Sequence, residues 1–289
     1  MKECIDGWAA SPGDLHPATL ARYNRCYGLV ETVIRNVYNK EDIVFSELDR
    51  KFITAFERYL KETRGLARNT AAKYLECFRK VLKVAQQKGW MEHGKFLEEL
   101  GQLCVKEKTS PSFLDWDELK TVMETDMPSG RLKRVKDVFV FCALTGLSYQ
   151  GISTLCPSHL FRDDEGTLWI CRTRAEGGEA GDNYISRVPL LKPAMVLLEK
   201  YRGWNLMNPE GPCFPVPSVQ KMNEYLKEVA ARCRISKRLT TQMARNTFAA
   251  TVTLASRIPK EHVREMLGYS SDYMLRHYMQ ALERNSQKA

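Results

Sequence analysis

The stretch that opens LTTQMARNTFAATVTLA at Leu239 and closes on Tyr278 holds the residues best equipped for chemistry. Gln242 and Arg245 are three apart, so on a helix they share one face, opposite the apolar stripe of Ala244, Phe248, Val252 and Ala255. A guanidinium presents a planar fork of donors that fits a phosphate two bonds at a time. Tyr269 and Tyr278 add two phenols, each of which could equally be a packing aromatic. A second basic cluster, Arg64, Arg68 and Lys73, stands where a helix should begin. It reads either as a phosphate site at a helix N-terminus or as an ordinary solvated face.

Several elements must hold these groups in place. Gly268 after Met266-Leu267 predicts a helix end, and Pro259 suits the first turn of that helix. Upstream, Tyr74, Phe78, Val81, Leu82 and Ala85 recur at helical spacing, with Asn69 or Thr70 as the cap and Gly89 as the stop. Earlier helices are expected over 18–38 and 47–63, the second burying Phe52, Phe56 and Leu60. The polar segment Val105–Phe113, with Ser110-Pro111, reads as a linker. Helices follow over 116–123 and 132–147, then short strands over 159–162, 167–174 and 184–190. A helix from Pro193 to Tyr201 and further helices from Val219 complete the pattern.

Composition narrows the class. With 44% hydrophobic and 27% charged residues, the 289-residue chain reads as a globular protein large enough for two cores. No apolar run approaches the roughly 20 residues that span a bilayer, and the N-terminus lacks a signal-peptide layout. Nine scattered cysteines without a Cys-x-x-Cys pair point to reduced, buried thiols in a cytoplasm, with no metal site and no cofactor expected. The net charge of +9 is spread over both halves and favours a polyanionic partner.

The order of Thr145-Gly146-Leu147, Trp169-Ile170, Val188-Pro189-Leu190-Leu191, Met243-Ala244-Arg245-x-Thr247-Phe248-Ala249 and Met266-Leu267-Gly268 resembles the tyrosine recombinase (phage integrase) family, most strongly over 135–282. The phrase GLARNTAAKYLECFRKVL resembles the last long helix of that family's SAM-like core-binding domain. The resemblance implies a mainly α fold with a small antiparallel β-sheet. It places a core-binding domain at 1–105, a linker at 106–112 and a catalytic domain at 113–289. It also implies that no arm-site domain precedes the core-binding one. Such enzymes attack a phosphodiester with a tyrosine, forming a 3′-phosphotyrosine and freeing a 5′-hydroxyl, without ATP or an obligatory metal. Two arginines stabilise the phosphoryl charge, a lysine protonates the leaving oxygen, and His and His/Trp side chains assist.

Carried over residue by residue, Tyr278 takes the nucleophile position and Arg245 a phosphate-binding position. Ser148 stands where the first arginine belongs, Glu176 near the lysine's place on the hairpin, Gln242 for the histidine, and Tyr269 for His/Trp. Arg172 or Arg174, on the hairpin strand, could substitute as the second guanidinium. Two functions follow from the resemblance. One is a mobile-element integrase that exchanges strands with an altered site, acting as a tetramer on two DNA sites. The other is a DNA-binding relative that has lost cleavage and serves as an accessory factor or pairs with an active recombinase. Double-stranded DNA is the partner in both, a membrane in neither, and the expected location is a bacterial cytoplasm, on the nucleoid when DNA-bound.

Overall fold

The computed structural model describes residues 1–10, 17–91, 95–107, 110–175, 183–269 and 271–286. Contacts divide the chain into two units, Met1–Thr109 and Ser110–Ala289.

The first unit is helical: α1 (Lys2–Ala10), α2 (Pro17–Tyr38), α3 (Arg50–Arg58), α4 (Arg68–Gln87) and α5 (Lys95–Leu103). Its core forms where α3 and α4 bring Phe52 and Phe56 to 5.5 and 5.6 Å from Phe78, ring centre to ring centre. Leu60, Val81 and Leu82 are sealed in beside them. The single helix expected over 47–63 starts later, at Arg50. Asp49 accepts the Phe52 N–H at 3.0 Å, so α3 starts after that cap. The turns over Tyr59–Thr63 then widen to π geometry. The cap expected for α4 is also corrected. The helix starts at Arg68 after Ala67, which gives no side-chain cap. Asn69 instead pairs with the Glu107 backbone, donating to its carbonyl at 3.1 Å and accepting its N–H at 2.8 Å.

The second unit opens with α6 (Trp116–Glu124), held by an Asp115–Glu118 capping box, and α7 (Gly130–Thr145), capped by Ser129. From Asp137 to Thr145 every residue of α7 is buried, so it forms the centre of the core. The Asp137 carboxylate is matched there by the Lys200 ammonium at 2.6 Å and the Tyr201 hydroxyl at 2.8 Å. After α8 (Tyr149–Ser153) come β1 (Leu160–Arg162), β2 (Leu168–Ala175) and β3 (Asn183–Pro189). They form an antiparallel sheet in that order, with Ile170 opposite both Leu160 and Val188. Then follow α9 (Lys192–Lys200), α10 (Arg202–Met207), α11 (Val219–Arg232), α12 (Thr241–Thr247), α13 (Lys260–Leu267) and α14 (Tyr273–Ser286). α12 runs on without a break as a π-helix over Phe248–Leu254.

Two features fix the site. α7 ends on Gly146 at φ 71°, and a Cβ there would stand 2.5 Å from Phe248 Cδ1, so glycine is required both for the turn and for the approach of the π-helix. The strap leading into α6 is stitched to the α12 helix. The Leu114 N–H donates to Thr247 Oγ1 at 3.0 Å, the Thr251 hydroxyl to the Leu114 carbonyl, and Asn246 Nδ2 to the Ser112 carbonyl at 2.9 Å.

Candidate active site

The ends of α7 and α13, the start of α8 and strands β2 and β3 enclose a cleft of about 660 Å³ whose lining includes Ser148, Gly151, Arg172, Ser186 and Arg245. Arg245 sits at its floor, only 5% exposed. Its guanidinium donates to the Gly146 carbonyl and, at 2.6 Å, to the Leu267 carbonyl. It also lies 5.0 Å from the centre of the Tyr269 ring. Both acceptors lie at helix C-termini, and each helix stops at a left-handed glycine, Gly146 or Gly268. Helix C-termini carry unpaired carbonyls and a partial negative charge, so a guanidinium between two of them is held by charge as well as by hydrogen bonds.

The expectation that Gln242 and Arg245 share a solvent-facing side is therefore corrected. Gln242 is exposed, whereas Arg245 and every residue from Met243 to Thr253 are buried. The helix tolerates this because its polar groups are satisfied internally. Thr247 Oγ1 donates to the Met243 carbonyl at 2.9 Å and Thr253 Oγ1 to the Ala249 carbonyl at 2.8 Å.

Arg172 stands on the same cleft, donating to the Gly151 carbonyl and, at 2.7 Å, to Thr154 Oγ1. Ser148 is the N-cap of α8, its Oγ accepting the Gly151 N–H at 3.1 Å. Arg174 occupies β2 opposite Tyr184. Glu176 lies outside the described residues. In the first unit Arg64 and Lys73 are exposed, while Arg68 is paired with Glu107 at 2.6 Å.

Tyr278 is completely buried and does not line the cleft. Its hydroxyl donates to Asn246 Oδ1 at 3.0 Å, and Gln242 Nε2 donates to the same oxygen at 3.0 Å. Burial pushes the phenol's pKa up, the Tyr269 phenol beside it pushes the same way, and the Arg245 charge opposes both. Arg245, Tyr269 and Tyr278 are thus brought together electrostatically, although only the guanidinium borders the cleft. The raised pKa has a consequence for stability. The unfolded chain releases this proton near the ordinary value of 10.0 while the folded chain keeps it, so the stabilisation is complete below that pH and lost as pH climbs above it. Urea unfolding followed from pH 9 to 11.5 is expected to show a smaller alkaline loss of stability in Tyr278→Phe than in the wild type. Equal losses would mean that the phenol does not titrate differently on unfolding.

Reading the residues alone missed Asn246, which joins Gln242, Tyr278 and Ser112. No local signal marked it, because its need for partners follows from the enclosure of the helix, which the residue pattern does not report.

Residues 9–100 match the family model described as phage integrase SAM-like domain. No curated protein matches the chain by sequence. Among solved structures, the chain is similar to the XerH site-specific recombinase bound to a palindromic difH substrate, with 13% identity, 94% of this chain and 78% of that chain covered, and a TM-score of 0.71. It is also similar to a lambda integrase dimer bound to a COC′ core site, with 16% identity, coverages of 96% and 94%, and a TM-score of 0.68. The Tn1549 transposon integrase in complex with circular intermediate DNA gives 13% identity, coverages of 99% and 98%, and a TM-score of 0.70.

Proposed function

With residues 9–100 a phage integrase SAM-like domain and the whole chain folded as tyrosine recombinases and integrases are, we propose that this protein binds duplex DNA and acts in site-specific recombination or integration of a mobile element. The observation that carries the reading is the cleft on which Arg245 and Arg172 both stand, with Tyr278 packed behind Arg245. A phosphodiester in that cleft would meet two guanidiniums, the electrostatic element that phosphoryl transfer depends on most. Arg172 supplies the second cation that Ser148 cannot. Arg64 and Lys73 would add backbone contacts from the helical unit.

In the reaction the Tyr278 phenol releases its proton to solvent as its oxygen attacks phosphorus, the P–O5′ bond breaks, the 5′-oxygen takes a proton from solvent, and a 3′-phosphotyrosine remains for the reverse step. Self-association on DNA, as a tetramer, and residence in a bacterial cytoplasm and on its nucleoid belong to the same proposal. Among the described residues no helix is long and apolar enough to cross a membrane.

A second reading, a cleavage-deficient accessory protein or partner of an active recombinase, draws on a specific observation: Tyr278, the candidate nucleophile, is sealed away from the cleft. Both readings require DNA binding, so that is tested first. Affinity for a mixed-sequence duplex, measured by fluorescence anisotropy, is expected to fall about 10³–10⁵-fold between roughly 50 and 200 mM salt if about 6–10 phosphates are neutralised. A flat salt response removes both readings.

A further inference from the structure

Asn246 uses its side chain fully. Oδ1 accepts from the Tyr278 hydroxyl and from Gln242 Nε2, both at 3.0 Å, and Nδ2 donates to the Ser112 carbonyl at 2.9 Å. An amide oxygen has two lone pairs, so its acceptor capacity is filled. The orientation follows from the network, since a flipped amide would set its NH₂ against the Gln242 NH₂ and face the Ser112 carbonyl with an oxygen. The residue is itself 9% exposed, and neighbouring Thr247 and Thr251 bind the same strap at Leu114. The phenol is therefore tethered to a fixed point rather than merely packed. Its acceptor is an amide, which is too weak a base to take the phenolic proton. The contact can hold the hydroxyl in place but cannot activate it.

We propose that Asn246 is a positioning residue for Tyr278: it parks the phenol behind Arg245, tied through Ser112 to the strap entering the domain, and cleavage requires this hydrogen bond to be given up. The proposal deepens the reading of Tyr278 as the nucleophile and rests on it. It also gives Gln242 a role: by donating to the shared oxygen, it steadies the acceptor on which the phenol is parked.

The test reads the phenol directly. The full-length protein is treated with tetranitromethane, and nitration of the Tyr278 peptide is followed by mass spectrometry. Alkylation of Cys142, fully buried in the same core, serves as the reference for general loosening. In Asn246→Ala the rate of Tyr278 nitration is expected to rise about tenfold, the shift one ordinary hydrogen bond controls, while Cys142 stays protected. Asn246→Ser, too short to reach the phenol, should behave the same way and stands in if the alanine variant does not fold. Unchanged nitration, joint exposure of Tyr278 and Cys142, or failure of both variants to fold overturns the proposal. Adduct formation on a nicked DNA substrate is measured on the same samples. Freed phenol with no adduct in any protein rejects cleavage and leaves the positioning role standing. Adduct formation with nitration unchanged rejects the positioning role alone.

Discussion

Arg245→Met is expected to lower the free energy of unfolding by about 3–5 kcal/mol, the scale of two hydrogen bonds from a charged group lost from a buried site. Methionine fills most of the volume but brings no donor. The carbonyls of Gly146 and Leu267, each at the C-terminal end of a helix, would then lose a charge-assisted bond. Such bonds contribute about 1.5–3 kcal/mol apiece. The Tyr269 face would lose its cation as well. Arg245→Lys should fall between the two, since an ammonium carries charge without a fork able to reach two carbonyls set apart. The measurement is the urea midpoint at constant m-value. A loss under about 1 kcal/mol for Arg245→Met would mean the guanidinium is held in reserve for a ligand and contributes little to the fold. The expected outcome matters for function. An inactive Arg245 variant is no evidence for a catalytic arginine unless it is shown to be folded. Arg172 is the cleaner probe, being partly exposed at the cleft edge.

How much of this was legible in the sequence varied with what each signal reports. Periodicity reports which side of a helix is apolar. It therefore located α4 and the Phe52–Phe56–Leu60 face of α3 and its π extension, elements with one wet side. It failed for α12 and the following π-helix, which are enclosed from Met243 to Thr253, because their threonines look polar in the sequence yet donate to carbonyls within the fold. Arg245 was assigned to the face opposite the apolar stripe for the same reason: nothing in its neighbours announces two helix ends converging on it. Cap signals failed at Asn69, whose side chain was recruited by Glu107, a partner 38 residues away. Gly268, by contrast, was marked as a stop by its place after Met266-Leu267, and it adopts the left-handed conformation; Gly146 does the same inside the helix expected over 132–147, which therefore ends early. The substituted positions were visible as residue types, but their present tasks were not. Ser148 caps a helix three residues before Gly151 and Gln242 donates to Asn246 one turn on, local contacts that the residue types did not single out among other possible tasks.

Tyr278→Phe is expected to abolish any SDS-stable adduct on a nicked suicide substrate, against a slow but measurable yield from the wild type. The substitution removes one oxygen and one hydrogen bond, at a cost to stability of only about 1 kcal/mol, so the variant stays folded and comparison is fair. Slowness follows from the site. Loss of a single charge-stabilising donor typically costs about 10²–10³-fold, and Ser148, Gln242 and Tyr269 each stand where a stronger group is expected. Because groups in one site do not contribute independently, the combined penalty is on the order of 10⁵-fold rather than the full product. One feature works against that penalty: Arg172 offers a second guanidinium to the same cleft. Burial acts the other way, since a phenol with a raised pKa is a poor nucleophile until it leaves Asn246 and reaches the cleft. Adduct yield should accordingly rise with pH over the range in which binding is unchanged. Tight, salt-sensitive binding with no wild-type adduct at any pH would decide for the accessory role, and an adduct that persisted in Tyr278→Phe would place the nucleophile elsewhere.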